Sequence, residues 1–248
     1  MQLKTKIKNH FNRAGNSYDK VACVQKQSAG LLVKKLQSFD SSFYPQTILD
    51  LGTGTGYIPE ILLPHYRNSL YTLNDIAPKM IEIVENKFLD RDNFKFHIGD
   101  IENDNFQDHN LIISNLALQW INNLEKTLEK FYKKSNILAF SCLLDGTFKE
   151  WNNIVRNCNI ISVIKKYPKE KVLISFLNKL NPKTYHFDSM EFQLTFPNNR
   201  SFIYYLKSLG ANASNEVMPI NILKSLIKEP DNKFTVTYKI FFGIMKRI

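Results

Sequence analysis

The sequence predicts an α/β fold, a mostly parallel sheet with helices on both faces, and three observations carry the prediction. Strand patterns alternate with helix-spaced patterns from Thr47 to Leu144, the rhythm that yields a parallel sheet with right-handed crossovers. The segment Asn110 to Asn115 reads as a continuously apolar strand, as a sheet covered on both faces demands. A glycine-rich turn, Asp50-Leu51-Gly52-Thr53-Gly54-Thr55-Gly56, follows the first strand, where open α/β sheets hold their ligands.

In chain order, apolar residues at helical spacing between Ile7 and Phe39 (Val21, Val24, Ala29, Leu32, Val33, Leu36) predict one or two helices. Pro45 then breaks the chain. Thr47 to Leu51 is the first strand, and Tyr57 to His65 is helical, with Pro59 in the opening turn and Pro64 near the end. Leu70 to Asn74 is the second strand, ending at Asp75. Pro78 to Phe88 is an amphipathic helix whose buried face is Met80, Ile81, Ile83, Val84 and Phe88. Phe94 to Ile98 forms the third strand ahead of Gly99-Asp100, and Asn110 to Asn115 the fourth. Leu124 to Phe131 is a helix and Ile137 to Leu144 the fifth strand.

Beyond Gly146 the alternation stops. Helices are predicted over Thr147 to Cys158, Pro168 to Leu180, Arg200 to Leu209 and Pro219 to Ile227. Strands at Glu191 to Phe196 and Phe234 to Met245 complete a seven-stranded sheet. One domain is expected over 1–248: leading helices 1–45, a core 46–156, closing strands 191–197 and 234–247, and lid segments 157–190 and 198–230 over the carboxyl edge of the sheet.

At 248 residues and 44% hydrophobic content, the chain can bury one substantial core. Lys+Arg 33 against Asp+Glu 23 gives a net charge of +10, and such a surface attracts polyanions. An acidic protein, a phosphorylated small molecule and a nucleic acid all answer to that field. The lysines are scattered and no basic run is interleaved with aromatics, so nucleic acid is not the expected partner. A compositional bias toward lysine and asparagine is the other source of the charge. No apolar run reaches the roughly 20 residues of a membrane span, so a cytoplasmic protein is expected. Cys23, Cys142 and Cys158 lack metal-ligand spacing and read as reduced, mostly buried residues. His10, His65, His97, His109 and His186 form no visible cluster, so no metal is expected.

The chemistry starts at the glycine turn. A dinucleotide fingerprint is G-x-G-x-x-G, whereas Gly52, Gly54 and Gly56 alternate as G-x-G-x-G after the acid Asp50. That spacing resembles motif I of class I S-adenosylmethionine (SAM)-dependent methyltransferases. Asp75 ends the second strand about 20 residues on, where a carboxylate accepts from both ribose hydroxyls; its other reading is a helix N-cap ahead of Pro78, and the two are compatible. Asp100 and Ile101 stand where that superfamily places an acid against the adenine amino group and an apolar residue against the ring. The fourth strand runs into Ser114-Asn115-Leu116-Ala117-Leu118-Gln119-Trp120, the wall between cofactor and acceptor. An Asn-Pro-Pro-Tyr or Asp-Pro-Pro-Tyr motif, the mark of amino-group methylation, is absent there, and no general base is evident. A carboxylate acceptor needs none, because it is already ionised at neutral pH.

A closer resemblance spans nearly the whole chain. His10-Phe11-Asn12-Arg13-Ala14 with Ser17-Tyr18-Asp19, Ala22 and Gln25, then Ser114 to Trp120 with Leu124, resemble segments of the malonyl-acyl carrier protein O-methyltransferases of biotin synthesis. So do Phe140-Ser141 with Gly146-Thr147, Leu206-Lys207-Ser208-Leu209-Gly210-Ala211-Asn212, and Thr237-Tyr238 with Gly243. The resemblance implies a Rossmann-like class I methyltransferase fold with a helical cap, and methyl transfer from SAM to the free carboxylate of malonyl on an acidic acyl carrier protein, or on coenzyme A. It also implies a monomer. Cofactor contacts are then expected from Arg13, Tyr18, Asp50, Gly52, Gly54, Gly56, Asp75, Ile76, Met80, Asp100, Ile101, Asn115 and Leu116. Tyr18 and Gln119 would position the acceptor, with Trp120 beside them or packed in the core. Lys207 would meet the malonyl carboxylate or the phosphopantetheine phosphate, or be a solvated lysine. The alternatives are a small-molecule O- or C-methyltransferase, such as one acting on a quinone precursor, and an RNA-binding protein that keeps the SAM fold without catalysis.

Overall fold

The computed structural model describes residues 2–157, 166–210 and 233–247. Two helices, α1 (Gln2–Val21) and α2 (Cys23–Phe39), precede β1 (Thr47–Leu51). The alternating part follows: α3 (Tyr57–Leu62), β2 (Leu70–Asp75), α4 (Pro78–Lys87), β3 (Phe94–Ile98), β4 (His109–Asn115), a short 3-10 turn (Leu118–Trp120), α5 (Leu124–Lys133) and β5 (Ser135–Leu143). Then come α6 (Lys149–Asn157), α7 (Glu170–Lys179), β6 (Thr184–Phe196), α8 (Asn199–Ser208) and β7 (Phe234–Lys246). The predicted helix from Pro219 to Ile227, the Ala211-Asn212 pair, Cys158 and the inner parts of both lid segments lie outside the described residues.

The seven strands lie in the order β3-β2-β1-β4-β5-β7-β6. The first five are parallel, whereas β7 runs antiparallel to β5, and β6 antiparallel to β7. Strand order reverses between β1 and β4, and that switch point opens a crevice at their carboxyl ends. The period-2 geometry of the strands separates two cores. Leu111 and Ile113 of β4 and Ile137 and Ala139 of β5 face one layer with α2, α3, α4, α6 and α8. Ile112 and Leu138 face the other, with α5 and α7. The fold is that of the class I methyltransferases.

Two expectations fail for a physical reason. The strand expected at Glu191 begins at Thr184, so 184–190 belongs to the sheet rather than to a lid. Periodicity missed it because β6 is an edge strand whose opening residues are mostly exposed, and an alternation signal needs one buried face. Cys23 is exposed, since it opens α2, while Cys142 is buried inside β5.

Candidate active site

The crevice is an open cleft with about 840 Å³ of space between its walls, solvent at its mouth included. Its floor is the glycine turn. Gly52, at φ 70°, sits so close to the wall that a Cβ there would meet the Ala117 Cβ at 2.3 Å, so no other residue fits. Asp75 is nearly fully buried and both its oxygens work on the backbone: Gly54 N donates to Oδ2 at 3.0 Å and Ala77 N to Oδ1 at 2.8 Å. Burial lifts its carboxyl to about 6, against the pull of these bonds. Asp75 thus lines the cleft but does not cap α4: the cap position is Ala77, and the Asp75 carboxylate holds the loop ahead of the helix.

Asp50 is different. It is 1% exposed, and neither oxygen has a well-formed hydrogen bond from any described group, the nearby Thr53 hydroxyl included. Burial, with Asp75 adding to it and Thr53 opposing, raises its carboxyl to about 7. A buried acid without partners is costly. Set at the end of β1 on the cleft wall, it calls for a ligand that brings hydrogen-bond donors or positive charge.

The far end of the cleft is closed by α1. Ile7, Phe11 and Tyr18 line it, and with the buried Ala14 they form one helical stripe. Lys4 reaches across to Asp100 Oδ1 at 2.8 Å and Glu102 Oε2 at 2.6 Å. Asp100 also accepts from Glu102 N and Asn103 Nδ2. The rest of α1 is tied down along its length. Asn12 Oδ1 accepts from Lys79 N in the first turn of α4, Ser17 Oγ donates to Ser208 O at the end of α8, and Asp19 accepts from Thr55 Oγ1 and the Tyr57 hydroxyl. Gly210 packs onto α1 so closely that a Cβ there would lie 3.2 Å from the His10 carbonyl.

The wall after β4 is held as firmly. Asn115 Oδ1 accepts from Ser28 and Ser141, both at 2.7 Å, and its Nδ2 donates to Gln25 O at 3.0 Å. Asn115 lines the cleft, but its amide serves the protein. Leu116 has φ 49°, a left-handed conformation that a leucine adopts only under constraint. Its N–H donates to Ser141 Oγ at 3.0 Å, and Gln119 Nε2 donates to its carbonyl at 2.6 Å. Trp120 meets Phe11 edge-on, ring centres 5.6 Å apart.

Behind this wall lies a second chamber of about 470 Å³. It shares Phe11, Tyr18, Gln25, Leu116 and Trp120 with the cleft, so the two adjoin. Gln119, Tyr167 and Tyr238 supply its other polar groups, and Phe148 and Leu209 much of its apolar wall. Among the described residues its lining has no charged side chain. Among the described residues, the cleft is acidic and the chamber beside it neutral.

Known proteins agree with this architecture. A family model described as "Methyltransferase domain" matches residues 48–134. The chain is 31% identical to the malonyl-[acyl-carrier protein] O-methyltransferase of Acetivibrio thermocellus, covering 93% of this chain and 87% of that one. It is 29% identical to the protein of the same name from Neorickettsia risticii, over 96% and 94%. The chain belongs to the malonyl-acyl carrier protein O-methyltransferase family. For the fold, the magnesium protoporphyrin IX methyltransferase of Synechocystis PCC 6803 superposes with a TM-score of 0.64 at 12% identity, covering 98% of this chain and 99% of that one.

This family member is a SAM-dependent methyltransferase, and its residues fit the cofactor. Asp50, buried and unpartnered, matches the ammonium that the methionine part of SAM carries. Asp75 and Asp100 stand on the next two strand ends, and Ile76, Met80 and Ile101 line the same cleft. Three expected residues stand outside the site, the first being Gly56, which lines neither space and packs against Val84 and Phe88. Arg13 is exposed and lines neither space, because it lies about 200° around α1 from Phe11. Lys207 is likewise exposed on α8, opposite the buried Tyr205 and Leu209. Sequence reading missed Lys4, Ile7, Tyr57, Tyr167 and the cleft role of Lys130. The stripe Ile7, Phe11, Ala14, Tyr18 was the available signal for α1. Lys130 of α5 donates to the carbonyls of Ile101 at 3.0 Å, Glu102 at 3.3 Å and Asp104 at 2.6 Å, pinning the loop that carries Asp100. No sequence motif announces a lysine that binds carbonyls. Among the described residues no group of His, Cys, Asp and Glu is placed to hold a metal, and no helix is long and apolar enough to cross a membrane.

Proposed function

We propose that this methyltransferase esterifies the free carboxylate of malonyl carried on an acyl carrier protein, which removes the charge so that the acyl group can be elongated toward pimeloyl for biotin. The observation that carries the reading is the second chamber: it adjoins the cofactor cleft and, among the described residues, is lined by neither a general base nor a charged side chain. An alcohol or phenol acceptor needs a base to lose its proton. A carboxylate needs none and gains from a dry wall that holds it in line. When bound, SAM supplies a methyl on a cationic sulfonium, so the carboxylate oxygen forms the new O–C bond as the C–S bond breaks toward sulfur, with no proton to move. The names of the curated relatives support the same acceptor.

In this reading the residues divide by task. Asp75 takes the ribose hydroxyls, Asp50 the ammonium, and Asp100 with Ile101 the adenine, while the glycine turn, Ile76 and Met80 complete the cofactor's bed. Leu116 and Asn115 shape the wall by the methionine part, and Tyr18 stands at the junction on both sides. Gln119 occupies the Leu116 carbonyl, an acceptor that an amine substrate would otherwise use, which supports oxygen over nitrogen. Lys149, Lys166, Lys169 and Lys207 are exposed and lie one or two residues from Phe148, Tyr167 and Leu209 of the chamber. In this reading these exposed charges draw in an acidic carrier or its phosphopantetheine phosphate.

The test is intact-mass analysis of malonyl-carrier protein incubated with the enzyme and SAM. Addition of one methyl group, lost on mild saponification, is expected. An unmodified malonyl-carrier protein, with another acceptor methylated in its place, overturns the reading. Deletion of the gene should leave growth dependent on biotin.

A further inference from the structure

The second chamber must hold an anion with the donors it has. Gln119 Nε2 is engaged by the Leu116 carbonyl at 2.6 Å, and the Tyr238 hydroxyl donates to the Tyr205 hydroxyl at 3.0 Å. The side-chain donors of the lining left without a partner among the described residues are the hydroxyls of Tyr18 and Tyr167, the amide of Gln25 and the indole N–H of Trp120. Tyr18 and Gln25 line both spaces, whereas Tyr167 lines the second chamber alone. Its ring packs against the first core, and its chain is fixed to the end of β5 by the bond from Asp145 N to Pro168 O at 2.9 Å. Tyr167 is therefore a hydroxyl on an anchored ring, deep on the acceptor side.

We propose that Tyr167 binds the acceptor carboxylate through its hydroxyl, holding the oxygen that does not attack, while Tyr18 at the junction guides the oxygen that does. The inference rests on the malonyl reading above and adds how the carboxylate is recognised: by neutral O–H donors rather than by a lysine or arginine. A guanidinium would take both oxygens and withdraw charge from the nucleophile. A phenol on one oxygen orients the group and leaves the other electron-rich. Burial raises both Tyr18 and Tyr167 far above the ordinary phenol range, so they stay donors throughout the working pH of such an enzyme. The counter-charge then comes from the bound cofactor, which makes acceptor binding depend on a cation in the cleft.

The experiment is calorimetric titration of malonyl- and acetyl-carrier protein into the enzyme saturated with sinefungin, whose amine replaces the S-methyl group, so that charge is kept and turnover prevented. Tyr167→Phe retains the ring and removes only the hydroxyl. The expected result is about tenfold or greater weakening for malonyl-carrier protein, with acetyl-carrier protein and sinefungin affinities within about twofold, since a hydrogen bond to a charged group is lost and nothing else. Replacing sinefungin by S-adenosylhomocysteine should weaken malonyl binding in the wild type. Equal malonyl affinity in wild type and Tyr167→Phe overturns the proposal. Failure of the wild type to methylate malonyl-carrier protein or to prefer it over acetyl-carrier protein would instead remove the malonyl reading itself.

Discussion

The cofactor cleft and the chamber behind it meet at Tyr18, Leu116 and Trp120 but are made of different materials. The cleft presents carboxylates on three successive strand ends, Asp50, Asp75 and Asp100, with Lys4 drawn across to the last. The chamber presents phenols, glutamines and hydrocarbon. A ligand that brings permanent positive charge is met by fixed acids, which need no rearrangement to receive it. An anionic nucleophile is better left in a neutral, dry enclosure, where its reactivity is not drained by a tight ion pair. The difference also sorts which substitutions should damage which substrate.

Asp75→Ala should produce the largest effect. It removes the proposed ribose contact and also frees Gly54 N and Ala77 N, which shape the turn. SAM affinity should fall about a hundredfold, roughly 3 kcal/mol, while the acceptor KM at saturating SAM changes little. Unaltered affinity by calorimetry would take Asp75 out of the ribose role and blur the division between cleft and chamber.

Asp50 offers a pH test of the same contrast. Its carboxyl is raised from 3.8 to about 7 in the fold, and that of Asp75 to about 6. A raised carboxyl favours the protonated folded state, so this contribution to stability is complete below about pH 4 and is lost as pH rises toward 7. Without SAM, stability should fall as pH rises across that window, with both acids of the coupled pair contributing. With SAM bound, the ammonium should hold Asp50 ionised, flatten the slope and release a proton on binding. Denaturant unfolding at several pH values, with and without SAM, reads both. A parallel pair of curves would mean that Asp50 does not face the ammonium.

The two regions also differ in how far the sequence disclosed them. The cleft was legible because its parts are local: seven consecutive residues make the turn, and each acid ends a strand that periodicity delimits well. Asp50, Asp75, Asp100, Ile101, Gly52 and Gly54 all line the cleft, while Gly56 packs against Val84 and Phe88. The chamber draws on Phe11, Leu116, Phe148, Tyr167, Leu209 and Tyr238, residues from seven stretches of chain if Leu143 is counted. Every one is a residue type that cores also use, so nothing local separates a chamber wall from packing. Charge and motif position point to Arg13 and Lys207, but helical rotation puts both in solvent. The neighbouring Asn12, Ser17 and Asp19 show what that first motif does: it fastens α1 across the cleft.

A smaller effect is expected at Lys130, which does not itself line the cleft yet binds three carbonyls of the loop bearing Asp100, that of the cleft residue Ile101 among them. Burial lowers its pKa, but the surrounding carbonyls and acids keep a cation useful there. Lys130→Met preserves the aliphatic stem and deletes the donors, so the loop should loosen. SAM affinity should drop about tenfold, in line with losing charge-assisted bonds at one remove, and Lys130→Arg should restore part of it. Acceptor affinity, measured with sinefungin bound, should stay unchanged. If both affinities fell together, the loop would be supporting the whole site rather than its acidic half.

The smallest effect separates the chamber's interior from its rim. Exposed charges act through a screened field and set association rate more than affinity. Lys207→Glu should therefore lower kcat/KM for malonyl-carrier protein by about threefold at low salt, and the loss should vanish as ionic strength approaches 1 M, where the Debye length is about 3 Å. Malonyl-coenzyme A should be less affected if Lys207 meets the carrier protein, and equally affected if it meets the phosphopantetheine phosphate, because coenzyme A carries phosphate without the protein. SAM binding should show no salt dependence from this substitution in either case. A salt-independent loss would place Lys207 against the buried carboxylate after all, and the neutral chamber would need a cation from its lid.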